Sequence, residues 1–569
     1  MTRFHLKQGV IIVLWVVIAA VFVNWTIRFM RAEHTLYSWD SNIWWLEEPM
    51  THPPDHSVLS SIAVLGRYMH HDYNLVCAVP SACMMALLGG SRLCDIVSNV
   101  VFLLIPYVMF CVWLLVKVPQ ATWPQAVWSA LAFLALLWVP LPWILTLNGL
   151  TDVGGLMVAA VATDLLMRTD IRSRDAIRWL SIGAALAILA LCKRWYLYLE
   201  VGLLAVLLVE IALDLITTSR RFRSVCLASI YTAVYGPFFC ACSLVGVYFI
   251  SFPLPLEILT TNYSHLYSSY QSGDSLLSAL RANFVVLIQY YGLAQVALAF
   301  LCFVAALFLT QARRGALYLY LPGWVAWFFF SRVQTMADHH TLLFYIATAV
   351  MPLFLAQQLL SPGLPDRKPW GWALLAVTAL VSGLSFLNVF SSSPPLGSSL
   401  VQAAFPVVRR QPVQRHDLAE IKALLRFIGG KVVNSPGVPL VRDVYVLASS
   451  DLFNASLLGS AGFQLNKSLP AQDHVGITVD VDIRDGFPYQ LVSANLVLVA
   501  DPIQTHLPGR QKVMTVPARM FLQGEGFAQA FTRDSRTFQL DQGVRVYVFE
   551  RVRPSTPEEI RQLHEQLGL

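Results

Sequence analysis

Eleven stretches of mainly apolar residues, near 9–30, 94–116, 125–147, 153–168, 178–192, 196–216, 226–250, 283–309, 315–331, 341–360 and 371–390, follow one another along the first two thirds of the chain. A helix that crosses the hydrocarbon core needs about 20 such residues, because no water is there to satisfy an open backbone. That recurrence leaves few folds open. The chain reads as an α-helical polytopic membrane protein of about eleven spans. Composition agrees: charged residues are 13% of 569 and mean hydropathy is +0.58, whereas a soluble protein carries about 25% charged residues. The first stretch is too long for a cleaved signal, and Asn24-Trp25-Thr26 offers no small-residue cleavage site.

The net charge of +6 matters less than its placement. With the N-terminus inside, the inner segments hold Arg3, Lys7, Lys117, Arg168, Arg172, Arg174, Arg178, Arg220, Arg221, Arg223, Arg313, Arg314, Arg367 and Lys368. The outer segments before residue 391 hold fewer: Arg28, Arg31, Arg67, Arg92, Lys193, Arg194, Arg281 and Arg332. The positive-inside rule then puts the N-terminus in the cytoplasm, and an odd number of spans puts the C-terminus outside. In a bacterium this means the inner membrane, with a periplasmic C-terminal domain. All nine cysteines lie in the apolar part, Cys240-Ala-Cys242 included, and read as small buried hydrophobes with no disulfide framework.

Composition changes at Ser391-Ser392-Ser393-Pro394-Pro395, a linker. Residues 391–569 read as a soluble α/β domain, with strands at Val444–Ala448, Leu496–Ala500 and Val544–Phe549. Helices are expected at Arg415–Ile428 and at Pro557–Leu567, the second capped by Ser555/Thr556 with Glu558/Glu559 in its first turn. Asp480-Val481-Asp482-Ile483-Arg484-Asp485-Gly486 lacks the glutamate of a calcium loop and reads as a turn.

Ionisable groups at a membrane surface are costly, so their positions are informative. The outer loop 31–75 holds Asp40, Glu47, Glu48, His52, Asp55 and His56 among Trp39, Trp44 and Trp45. Val58, Leu59, Ile62, Leu65 and Met69 then mark an amphipathic helix lying in the interface. Partial desolvation there raises a carboxylate towards the range of a general base. The competing reading is a solvated loop with aromatic anchors. Asp152 follows Asn148-Gly149-Leu150-Thr151 between the third and fourth spans. Lys193 and Arg194 sit against the charge trend and suit an anionic head group or, alternatively, lipid phosphates. Arg332 and Asp338-His339-His340 occupy a late outer connection, and adjacent histidines can ligate a metal or contact phosphate. His265 lies with Tyr263, Tyr267 and Tyr270 in an aromatic-polar loop suited to sugar or lipid. No Walker loop, GxGxxG, HExxH or nucleophile elbow occurs, so inner-side nucleotide chemistry is unsupported and no nucleic-acid partner is expected.

An Asp just beyond the first span, His52-Pro53-Pro54, an interfacial helix and Leu87-Leu88-Gly89-Gly90-Ser91-Arg92-Leu93 together resemble the GT-C superfamily of membrane glycosyltransferases. Within it, the pattern is most similar to bacterial relatives of protein O-mannosyltransferases and lipid A aminoarabinose transferases. Asp152 matches the second outer acid of that group, Leu191-Cys192-Lys193 its Leu-Thr-Lys step, and His339-His340 its His-Tyr or Arg-Tyr element. The resemblance implies a hexosyl- or pentosyltransferase. Its donor would be a sugar on a polyprenyl phosphate, and its acceptor a hydroxyl of a glycan, lipid or protein. Asp40 would be the base, Asp152 would position the acceptor or a metal, and Lys193, Arg194, Arg332 and His340 would meet the donor phosphate. A divalent ion (Mg, Mn or Zn) at Asp40, Glu48 and His339 is the cofactor implied. Ser41 stands where many relatives place a second acid, and Asp55 follows His52-Pro53-Pro54 where an apolar residue is commoner. Two other functions fit a polytopic chain: a flippase for a lipid-linked glycan, expected to break helices at mid-membrane, and an O-antigen polymerase or ligase working through a late outer loop.

Overall fold

The computed structural model describes residues 2–39, 41, 70, 76–88, 91–116, 123–222, 227–271, 275–361, 365–392, 404–433, 444–465, 474–476 and 478–568. The chain divides into two compact units. The first holds Met1–Arg31, Glu47–Thr261 and Ser272–Gln411; the second holds Ala32–Leu46, Asn262–Gln271 and Pro412–Leu569.

The first unit is helical. Among the described residues, three helices are long and apolar enough to cross a membrane: Gly9–Ala32, Arg92–Leu115 and Lys368–Phe390. Counting each sharply bent pair as one span raises this to six. Two bent pairs correct the sequence reading: the segment 125–147, expected as a single span, is Pro124–Leu137 and Pro140–Leu147, meeting at 52°, and 283–309 is Leu276–Tyr291 and Leu293–Leu307, meeting at 103°. Gly292 makes the corner at φ +78°, a conformation other residues avoid, and its Cα lies against the backbone of Ala404 and Phe405. Val21, Val245 and Phe308 are more than half exposed, as befits a surface that meets lipid tails.

Four further helices organise this unit: α1 (Val153–Arg168), α2 (Ala176–Cys192), α3 (Leu197–Phe222) and α4 (Thr310–Ser331). They match expected spans, but α1 and α2 are short and α3 carries Glu200, Glu210 and Asp214. Two of those acids find cations. Arg314 pairs with Glu210 at 2.6 Å and Arg172 with Asp214 at 2.8 Å. A tight Lys193–Tyr196 connection joins α2 to α3, and this brings Lys193 beside the start of α1.

The second unit is a four-stranded sheet in the order β1-β2-β4-β3: β1 (Val444–Leu447), β2 (Leu496–Asp501), β3 (Phe531–Gln539) and β4 (Arg545–Arg551). β1 and β2 run parallel, with Val444 opposite Leu496, and the other pairs are antiparallel. Alternate residues of β1, β2 and β4 enter two cores. Val444, Val446, Leu496, Leu498, Val546 and Val548 face one; Tyr445, Leu447, Val497, Val499, Tyr547 and Phe549 face the other. Burial on both faces explains why these strands read as unbroken apolar runs. β3 went unseen because it is a polar edge strand, exposed at Thr532, Arg533, Ser535 and Arg536.

Helices α5 (Leu418–Val433), α6 (Ala455–Leu465) and α7 (Pro557–Leu567) belong to this unit. Around α7 the expected cap is present as a full capping box, Thr556 with Glu559.

Candidate functional site

Asp152 is the N-cap of α1, but its carboxylate does not cap the helix; it is turned elsewhere. The residue is 2% exposed, and neither carboxylate oxygen has a hydrogen-bond partner among the described residues. Lys193 approaches to 3.7 Å, an ion pair too long for a hydrogen bond. A buried carboxylate with its oxygens free for another group is an expensive arrangement. It has the chemistry of a site awaiting a hydroxyl, an ammonium or a metal ion.

The frame around it is rigid. Tyr196 donates its hydroxyl to the Asp152 carbonyl at 2.8 Å, and its ring packs so tightly on Gly155 that no side chain fits there. Trp195 stacks on Tyr196 at 4.2 Å. The turn 148–152 meets two more cations that sequence reasoning missed as site residues. The Arg92 guanidinium lies against Gly149, and Arg410 donates to the Asn148 side chain at 2.9 Å. Arg92, Arg410 and Lys193 thus gather on one short turn, although they are far apart in sequence. Asp95 joins Arg92 at 3.3 Å and accepts from Ser81 and Asn99.

The Asp338–His340 turn belongs to the same neighbourhood. Trp195 lies 6.0 Å from the His339 ring and 5.8 Å from the His340 ring. Asn283 anchors the turn by accepting from Met336 N–H at 2.6 Å and donating to Ser331 at 2.8 Å. Burial alone would raise Asp338, but hydrogen bonds and charge from His339, 3.1 Å away, outweigh it and hold the carboxyl below its ordinary value. His340 moves the other way. Burial, then the positive charges of His339, Arg194 and Lys193, push it well below the usual imidazole value. Its Nδ1 accepts from the Ala337 N–H at 2.9 Å, which assigns the proton to Nε2. His340 is therefore a neutral donor, not a counter-charge. Arg194 is half-buried in the turn after Lys193, and Arg332 is exposed at the end of α4.

Within the second unit, the start of the first outer loop is held by the α/β fold. His34 pairs with the 413–415 strand segment on both its N–H (2.9 Å) and its carbonyl (2.8 Å), and Leu36 enters the core. The Gln464 amide of α6 clamps Tyr37, accepting from its N–H and donating to its carbonyl, both at 2.9 Å. Ser456 accepts the Trp39 N–H at 2.9 Å. Trp39 sits at φ +48°, a conformation that costs a non-glycine residue. The next residue is Asp40. Asp40, Glu47, Glu48, His52, Asp55 and His56, with the expected interfacial helix, lie outside the described residues.

His506, which no motif marked, is a hub of this unit. It is 2.6 Å from the Ser449 hydroxyl, 5.2 Å from the Trp39 ring and 6.3 Å from Tyr270. Ser449 follows β1 and His506 follows β2, so the cluster stands at the carboxyl ends of two parallel strands, where α/β folds place ligands. Asp480 and Asp485 are bridged by Arg484, which also donates to Tyr270 at 3.0 Å. The expected turn at 480–486 is confirmed as a short helical turn ending at Gly486. His265 is exposed beyond this ladder of tyrosines. Among the described residues, no group of three or more His, Cys, Asp or Glu side chains is arranged to hold a metal ion.

No family model matches the chain, and no curated protein matches it. Solved structures do. The crystal structure of ArnT from Cupriavidus metallidurans bound to undecaprenyl phosphate aligns over 96% of this chain and 99% of that one, at 13% identity and a TM-score of 0.51. The apo state of the same ArnT aligns over the same shares at 13% identity, with a TM-score of 0.45. The fold is thus similar to that of ArnT, with a unit of many apolar helices and a small α/β unit built on a four-stranded sheet, as the sequence led us to expect.

Proposed function

We propose that the protein is a membrane glycosyltransferase that moves a sugar from a polyprenyl-phosphate donor to an acceptor hydroxyl on the outer face of the membrane. The observation that carries the proposal is the Asp152 turn. A buried carboxylate without hydrogen-bond partners among the described residues stands among Lys193, Arg92 and Arg410, in a fold similar to that of an enzyme solved with undecaprenyl phosphate. In a bacterial cell the N-terminus would be cytoplasmic and the α/β unit periplasmic, as the basic loops require.

In the proposed step, Asp40 takes the proton of the acceptor hydroxyl as its oxygen bonds to the anomeric carbon. The bond from that carbon to the donor phosphate breaks on the opposite side, and its electron pair leaves with the phosphate, so configuration inverts. Phosphate is a fair leaving group, so the main tasks are one base and cations where charge develops. Lys193 and Arg194 neutralise that charge, with Arg332 nearer solvent. His340 contributes a hydrogen bond. Asp152 orients the acceptor, and the loop groups Glu47, Glu48, His52, Asp55, His56 and His265 contact substrate.

A divalent cation at Asp40, Glu48 and His339 remains part of the proposal. The Asp338–His339 pair supports it in one respect, since a carboxylate on one imidazole nitrogen orients the other towards a metal. Such an ion would polarise an oxygen of the acceptor or phosphate. Full activity after exhaustive chelation would remove it.

The decisive test is Asp40→Asn in the full-length protein. Transfer from a polyprenyl-phosphate sugar should fall by at least ~10²-fold, the usual contribution of a positioned base, with unfolding temperature unchanged. An active variant removes Asp40 from the role. Mass spectrometry of lipid that co-purifies with the Asp40→Asn protein would identify the sugar.

A further inference from the structure

The first unit contains a cavity of about 800 Å³, a volume within the ~300–1,000 Å³ of small-molecule sites. It is distinct from the site above. Asp152 stands just before the first turn of α1, whereas Asp164 and Arg168, which line the cavity, lie in its last turns. Sixteen residues of α-helix separate the two ends by roughly 24 Å. The cavity wall is apolar, with Leu115, Trp128, Ile346 and Phe354. Its polar residues gather where helices begin and end: Arg168, Lys368, Gln357 and Gln358.

We propose that this cavity binds one anionic phospholipid, acyl chain against the apolar wall and phosphate between Arg168 and Lys368. Three observations carry it. The lining is amphiphilic in the sense a phospholipid requires, apolar inside helices and polar at their ends. The charge balance is positive: Arg168 holds the one acid, Asp164, at 2.6 Å through Nε, and Lys368 adds a second cation that is exposed. Basic pockets between membrane helices bind anionic head groups for this reason. Lastly, Trp128 lines the cavity with its ring 1% exposed, and its indole N–H has no acceptor in the described protein. A buried donor of this kind is satisfied by a ligand acceptor, and an ester carbonyl of a lipid supplies one. Inorganic phosphate could meet the cations, but would leave the apolar wall and the indole without a partner.

The inference does not depend on the sugar-transfer reading. Its test is native mass spectrometry of the full-length protein in detergent, with phosphatidylglycerol, phosphatidylcholine or inorganic phosphate added. One phosphatidylglycerol should be retained in preference to phosphatidylcholine, with each of Arg168→Gln and Lys368→Gln weakening retention about fivefold. Trp128→Phe should weaken both lipids, and Arg561→Gln, on the exposed face of α7, should weaken neither. Equal retention of the two lipids overturns the proposal, as does wild-type retention in the Arg168→Gln/Lys368→Gln variant. Displacement of phosphatidylglycerol by millimolar phosphate would show a simple anion site instead, and likewise overturn it. Both mutated cations are exposed, so folding of the variants is expected and is checked by their unfolding temperature.

Discussion

The two ends of α1 carry the same kind of pair in opposite surroundings. At its start, Asp152 and Lys193 are 3.7 Å apart with side chains 1% and 8% exposed. At its end, Asp164 and Arg168 are 2.6 Å apart with side chains 19% and 49% exposed. Distance alone would rank the second pair as the stronger. Environment reverses the order, because screening by water reduces an exposed pair to about 0–1 kcal/mol, while a buried pair is weakly screened but costly to desolvate. A buried carboxylate without hydrogen bonds is a poor device for stability and a good one for holding charge where a substrate arrives.

The sharpest way to break this comparison is Lys193→Met. Leaving Asp152 as a lone buried charge should cost about 3–5 kcal/mol of stability, read as a large fall in unfolding temperature in detergent. Adding Asp152→Asn should restore most of that stability without restoring transfer. A double variant as unstable as the single one would show that the two residues do not act as a pair. Next, Asp152→Asn alone should lower transfer by ~10²-fold, the cost of a misplaced reactant, while Asp164→Asn should leave it within about twofold, as expected of an exposed pair. Comparable losses would erase the distinction between the two ends.

Tyr196→Phe removes the hydroxyl that satisfies the Asp152 carbonyl. That carbonyl keeps its bond from the Gly155 N–H at 3.1 Å, so the loss should cost about 0.5–1.5 kcal/mol, again visible in the unfolding temperature. Arg172→Ala breaks an exposed pair with Asp214, its side chains 49% and 24% exposed, so a change under about 1 kcal/mol is expected. A loss as large as that of Tyr196→Phe would contradict the weight given to burial.

The smallest effect concerns the α/β unit. The Arg553 side chain and the Thr556 N–H hold Glu559 down to about 2. Its folded value lies below its ordinary 4.5, so its contribution is fully present above 4.5 and is lost as pH falls through 2. Glu559→Gln should flatten this acid limb and lower neutral-pH stability by up to about 1 kcal/mol, the size of a partly exposed pair, with the difference vanishing below pH 2. An unaltered limb would assign acid sensitivity to other carboxylates.

Much of this was legible in the chain. Apolar length marked the helices, short apolar runs at β1, β2 and β4 marked a sheet, and Thr556 with Glu559 marked the cap of α7. Asp152, Lys193 and the His339-His340 turn stood out because charge at a membrane surface is rare. The corner at Gly292 was missed since an apolar run reads alike whether straight or bent. Arg92 was noted as an outer charge and within the Leu87–Leu93 motif but not as a site residue, and Arg410 not at all, because each gains meaning from the turn it packs against. His506 and Ser449 sit in no motif, and only the parallel ends of β1 and β2 bring them together.

Hydropathy by itself determined that the chain enters a membrane, and the placement of its few charges narrowed where chemistry could occur. These are local properties, set by the free energy of moving each segment out of water. Only the tertiary structure decided which charges meet, which are screened, and that Asp152 is buried with no hydrogen bond to its carboxylate among the described residues. Dielectric surroundings and contact distance arise from segments far apart in sequence, so no window on the chain contains them.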